Sequence, residues 1–321
     1  MSVLPRVCLL WLSFVAFIAH VAAAADAPKP EPKADPQPEP ISILKTAEPL
    51  KIDGLLNEPA WKQAAAVEVK YIWGKTNTPL AEPRMVARYT WDDQYLYIGY
   101  ESFDTTVTAM GSGEQEGPKE NRREGALIAH PELKVDVVEF FVSFGDPRFF
   151  WELHHNASNQ FNDVWCSVLD NEPVAKTLSA RFGIHFGERE FMLDDPAAGA
   201  TFAQAVKLKA KADGSPSTVN DPSDTDTGYT GELRLPWFGL GAPLAAESWI
   251  VVEPTTPDGK KTRYHGPWKL AGTELMLLSV AQDGDSKDHY CHASPVFPGG
   301  WFHKGSQHWP RYKLVADDAK K

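Results

Sequence analysis

Two glutamates and a histidine stand out as a group that could do chemistry. Glu139 lies in the run Val135 to Phe144. Glu152 and His154 lie in the next run, Arg148 to Asn156, and Gly145-Asp146-Pro147 separates the two. Paired carboxylates with an imidazole accept hydrogen bonds from hydroxyl groups, hold cations, or work as an acid and base. For these groups to meet, the runs must be neighbouring strands. Val138, Phe140, Val142 and Phe144 alternate with Val137, Glu139, Phe141 and Ser143, a period of two in β-branched and aromatic residues. The Gly-Asp-Pro turn then predicts a hairpin pairing Phe140 with Leu153 and Val142 with Trp151 on the core side. Glu139, Phe141, Glu152, His154 and Asn156 fall on the opposite face. A third run, Phe161 to Leu169, is expected to turn Val164, Cys166 and Val168 inward and Asp163, Trp165 and Ser167 to the polar side. A register slip of one residue would reverse any of these assignments.

The rest of the 321-residue chain supplies the frame. Its 43% hydrophobic content, with 16 Phe, 11 Trp and 9 Tyr, is enough for a large core. Its net charge of −11 excludes nucleic acid and anionic membranes as partners and leaves neutral ligands and cations. Met1 to Ala25 carries Arg6, an apolar run and a small-residue stretch, which predicts a secretory signal peptide cleaved after Ala25 and an exported protein with no membrane span. Residues 26–40 are a Pro-rich linker with alternating charges, and residues 41–321 form the folded domain. Of the two remaining cysteines, Cys166 and Cys291, export permits a bridge, and burial as free thiols is equally ordinary. Oligomeric state is left open by the sequence.

Further strands are expected at residues 43–52, 67–73, 84–91, 94–103, 202–211, 228–235, 274–281 and 312–315. A ribbon at 250–253 and 263–265 adds to them. Asp92-Asp93 makes the third and fourth of these a tight hairpin. Asn57 and Pro59 predict a short helical turn through Trp61, and Pro236 opens another through Leu240. The fold class is therefore all-β, an antiparallel sandwich of about ten strands with short helical turns and long loops. Arg84 and Arg88 share one face of their strand and are expected partners for Glu139 or Glu152.

Several segments together resemble the carbohydrate-binding module family 9 domain, a jelly-roll-like sandwich related to the DOMON group. They are Ile52-Asp53-Gly54 with Glu58-Pro59-Ala60-Trp61, Trp91 to Ile98, Asp136 to Phe141, Phe150 to Leu153 with Asn156 and Asp163, Gly231 to Trp237, and Phe302-His303 before Trp309. The resemblance covers most of Leu50 to Val315. It implies non-catalytic sugar binding between two clamping Trp rings, with structural calcium nearby. Pyranose C–H faces stack on indole while ring hydroxyls seek carboxylates and amides. The chain departs from that pattern: Leu133 stands where one clamping Trp is expected, and Trp301 and His303 compete for the second place.

The expected function is a secreted carbohydrate-binding domain, associated with polysaccharide breakdown. Glu139, Glu152, His154, Asn156 and Asp163 are hydroxyl partners, Trp165 and Trp301 are stacking platforms, His303 is a further ligand-binding candidate, and Arg88 orients the acids. On this reading Trp165→Ala loses sugar and keeps the fold. Asp221, Asp224 and Asp226 are the calcium candidates. Three alternatives stand beside it. Glu139 and Glu152 could form a glycosidase pair. Met85 and His154 could ligate haem, as in other DOMON-like modules. The His289-Tyr290-Cys291-His292 cluster, with His303 and His308, could hold a metal, against the plainer reading of loop histidines facing water.

Overall fold

The computed structural model describes residues 38–75, 78–109, 134–146, 148–168, 180–181, 184–188, 200–243, 250–252, 263–265, 268–295 and 302–316. The chain divides into Met1–Pro38 and Glu39–Lys321, and the description below concerns the second unit. The signal peptide and most of the linker lie outside the described residues.

Seventeen strands are present among the described residues: β1 (Ile41–Leu44), β2 (Ala65–Val69), β3 (Tyr71–Ile72), β4 (Met85–Trp91), β5 (Tyr95–Ser102), β6 (Val137–Ser143), β7 (Phe149–His155), β8 (Phe161–Val168), β9 (Ala180–Arg181), β10 (Ile184–Glu188), β11 (Ala203–Leu208), β12 (Tyr229–Pro236), β13 (Ile250–Val252), β14 (Arg263–His265), β15 (Glu274–Gln282), β16 (Tyr290–His292) and β17 (Arg311–Val315). The sequence pattern predicts about ten; β3, β9 and β16 have two or three residues, too short to show alternation, and β10 is also absent from that expectation. Two short helices, α1 (Pro59–Gln63) and α2 (Trp237–Leu240), and a 3-10 turn at Phe302–His308 complete the described elements. The N-cap of α1 is Glu58 rather than Asn57, with Pro59 in the first turn, and no side chain caps it.

One sheet has ten strands in the order β1-β17-β15-β6-β7-β8-β10-β9, with β16 on β15 and β3 on β16. The other has five, β11-β12-β5-β4-β2, and β13 and β14 form a separate ribbon. All these pairs are antiparallel except β1 with β17. The inner faces share one apolar layer that includes Phe140, Val142, Trp151, Leu153, Tyr89, Trp91, Tyr100 and Leu277. The molecule is thus an all-β sandwich. β5 lies between β12 and β4 and is buried on both faces, as its Tyr95-Leu96-Tyr97-Ile98 run demands.

The outer face of the five-stranded sheet is closed by α1. Trp61 is buried against Gly99, where an added Cβ would lie 2.9 Å from the indole. The indole N–H donates to Glu232 Oε1 at 2.9 Å, and the Asp53 and Gly54 amides donate to Glu232 Oε2 at 2.8 Å. Arg88 is on this outer face, opposite Gly99 and one residue out of phase with the core residues Ala87 and Tyr89. It is therefore in the other sheet from Glu139 and Glu152, which corrects the expectation that it orients them.

Candidate functional site

The β6–β7 hairpin has the expected register, with Phe140 opposite Leu153 and Val142 opposite Trp151. Gly145, at φ +80, makes the turn, and the Ser143 hydroxyl donates across it to the Asp146 and Phe149 carbonyls at 2.8 Å. Glu139 stands opposite His154, and Glu152 is its diagonal neighbour on the same outer face. One donor atom each from Glu139, Glu152 and His154 lies within 4.8 Å of the others. His154 Nε2 is 3.0 Å from Glu152 Oε1, and His154 Nδ1 donates to the Asn162 amide oxygen at 3.1 Å. Because Asn162 fixes the Nδ1 proton, the proton between Nε2 and Glu152 is shared by an imidazolium–carboxylate or imidazole–carboxyl pair. The Cys166 thiol donates to Glu152 Oε2 at 3.4 Å.

Burial by itself would lower the His154 pKa. The bond to Glu152 and the charges of Glu152 and Glu139 outweigh it, and the net shift is upward. Burial, then the charge of Glu152, pushes the Cys166 thiol well up, so it stays protonated. Burial, followed by the charges of Glu139 and Glu152, raises the Tyr290 phenol as well.

A second apolar layer lies over this outer face. Phe141, Phe150, Val164, Cys166, Leu278 and Val280 pack with Phe302 and Trp309 from the closing turn. The half-buried rings of Trp73 and Tyr290 meet edge to face at 5.9 Å, and Phe302 lies 6.0 Å from Trp73. Glu139 and Glu152 are buried on the same face, with 9% of the Glu152 side chain exposed. The two acids and the imidazole are therefore nearly sealed from solvent, on a face whose apolar layer also takes the rings of Trp73 and Tyr290.

Several sequence expectations need correction here. β8 is turned the other way: Val164 stands opposite Glu152 and Asn162 opposite His154, so Asn162, Val164 and Cys166 share the site face. Asp163 and Trp165 are on the interior side, opposite Leu153 and Trp151, and the two indoles meet edge to face at 5.3 Å. Asn156 is buried in the β7–β8 turn. Its Oδ1 accepts from the Ser158 and Gln160 amides and its Nδ2 donates to Gln160, so it shapes the turn. Cys166 faces the outer layer and Cys291 the inner core, both as free thiols. Met85 is in the inner core and His154 on the outer face, so they cannot form a haem pair. His292 is buried in β16, and burial lowers its pKa to about 4; this is not a loop histidine facing water. Trp301 and the side chain of His303 lie outside the described residues.

Sequence reasoning missed Trp73, Tyr290 and Asn162 as site residues. The signal was present but short. Ile72 and Cys291 enter the core, so Tyr71 and Trp73, and Tyr290 and His292, must face out by period two.

The calcium candidates are each engaged. Asp221 accepts from Ser223, Asp224 from Lys211 and Thr218, and buried Asp226 from the Val107 and Thr218 amides at 2.9 and 2.8 Å.

No protein-family model and no curated protein matches the sequence. Among solved structures, a carbohydrate-binding module family 9 domain from Caldicellulosiruptor kristjanssonii in complex with cellotriose matches at 13% identity. It covers 88% of this chain and 98% of that chain, with a TM-score of 0.44. The same module in complex with glucose matches at 13% identity, 86% and 96% coverage and a TM-score of 0.43. At that level the likeness carries no argument about function.

Proposed function

We propose that the domain is an exported, non-catalytic carbohydrate-binding module whose site is the cluster of Glu139, Glu152, His154 and Asn162, with Trp73 and Tyr290 as its stacking rings. One observation carries the reading: two carboxylates and an imidazole converge on a sheet face whose apolar layer packs with the half-buried rings of Trp73 and Tyr290. Sugar recognition needs this pairing, because ring hydroxyls donate to carboxylates while C–H faces rest on aromatic surface. The motif resemblance in the sequence leads to the same class. Export is supported by the N-terminal pattern; no helix among the described residues is long and apolar enough to cross a membrane.

A glycan array, followed by a reducing-sugar assay on any ligand retained, tests the proposal. It predicts saturable binding with no release of reducing ends. Release of sugar would make Glu139 and Glu152 a hydrolytic pair, and an array with no binding would end the carbohydrate reading.

A further inference from the structure

The His154 ring and the Glu152 carboxylate meet through two atoms that both carry lone pairs. His154 Nδ1–H donates to the Asn162 amide oxygen at 3.1 Å, so in the neutral ring Nε2 is an acceptor, and it lies 3.0 Å from Glu152 Oε1. Two acceptors at that distance need something positive between them. A proton serves one such pair. Glu139 stands opposite His154 in the ladder, and one of its oxygens lies within 4.8 Å of the ligand atoms of both other residues. All three groups are buried, and buried charges are matched by a counter-charge or by a metal ion. One cation where they converge meets all three.

The surroundings supply the outer bonds that metal ligands use. A ligating imidazole donates its other N–H to an oxygen, which fixes ring and tautomer, and ligating carboxylates are themselves hydrogen-bonded. β8 provides both. Asn162 takes the His154 Nδ1 proton, and the Cys166 thiol donates to Glu152 Oε2 at 3.4 Å, which leaves Oε1 for the centre. The three ligands are on β6 and β7, inside the ten-stranded sheet with β15 and β8 on either side, so the ladders set their spacing. Around a four-coordinate ion with bonds of about 2.0–2.2 Å, ligand atoms lie about 3.3–3.6 Å apart. The 3.0 Å contact and the 4.8 Å limit bracket that spacing.

We propose that Glu139, Glu152 and His154 Nε2 bind a zinc ion, with water in the fourth position. The nitrogen decides the metal. Calcium and magnesium take oxygen donors, whereas imidazole beside carboxylates suits a borderline transition ion, and zinc accepts three protein ligands with one place open. The site differs in residues and in metal from the calcium candidates Asp221, Asp224 and Asp226. It rests on the three ligand atoms and their outer bonds, and stands whether or not the same face takes sugar.

The test is a zinc chloride titration of EDTA-stripped protein without sugar, read by thermal unfolding and by the zinc retained after gel filtration. Wild type should retain one zinc per chain and gain about 5 °C in Tm at free zinc about 100-fold above Kd. Glu139→Gln keeps the side-chain shape, removes a charged ligand and should lose the retained zinc. Equal Tm in zinc and in EDTA, or full retention in the variant, would overturn the site. If Glu139→Gln does not fold, Asn162→Ala replaces it. With the imidazole left unheld, its zinc midpoint should lie about 10- to 100-fold higher. An unchanged midpoint would also overturn the assignment. The glycan array is read separately, so failure of either reading is told apart from failure of the other.

Discussion

His154 Nε2 lies 3.0 Å from Glu152 Oε1, on one β7 face, while Asn162 holds the other side of the imidazole. The acid and the ring are two residues apart in one strand, and β8 supplies the group that orients them. This contact makes the outer face of the ten-stranded sheet chemically distinct from a solvated sheet surface, because both partners are buried.

The Trp73 ring should carry stacking energy without carrying the fold. Trp73→Ala is expected to weaken sugar binding about 10-fold or more, measured by calorimetry with a ligand taken from the array. Its Tm should fall only slightly, since Trp73 is half-buried. Binding unchanged in this variant would remove the ring from the site.

Trp165→Ala should behave in the opposite way. Its indole packs on Trp151 at the interior face, so truncation should destabilise the fold by about 2–4 kcal/mol and leave sugar affinity within twofold. Urea unfolding beside calorimetry separates the two effects. Lost affinity with full stability would restore the outward orientation read from the sequence alone.

Glu232 titrates against folding. Burial raises its carboxyl from 4.5 to about 7, despite the hydrogen bonds from Asp53, Gly54 and Trp61. The folded state keeps a proton that the unfolded chain has lost, so this group's contribution to stability falls as pH rises from about 4.5 to about 7 and is level above that. Glu232→Gln should remove this part of the slope, seen as urea midpoints at pH 5 and pH 7.5. Equal losses in both proteins would assign the slope to other groups.

The two cysteines should react as free thiols. Cys166 and Cys291 face opposite sides of the ten-stranded sheet, so a thiol titration in denaturant should count both without reductant. A disulfide between them, with neither thiol reactive until reduction, would contradict their placement.

Much of this site was legible in the amino-acid order. Alternating Phe and Val in β6, the Gly145 turn and the apolar run of β7 fix which way Glu139, Glu152 and His154 face. β8 was misread because both of its faces mix polar and apolar groups. Val164 and Cys166 look like interior residues, yet they pack in the second apolar layer under Phe302 and Trp309. Alternation cannot say which side is the interior when both faces of a sheet are covered. Asn156 has the composition of a ligand and the local bonds of a turn residue, a choice only its neighbours Ser158 and Gln160 decide.

Calorimetric titration of a sugar retained on the array into wild type and Glu152→Gln tests the central claim most directly. A hydrogen bond to a charged group is worth about 1.5–3 kcal/mol, so the variant should bind about 10- to 100-fold more weakly with its circular dichroism unchanged. Equal affinity in the two folded proteins would place sugar binding elsewhere and contradict the account.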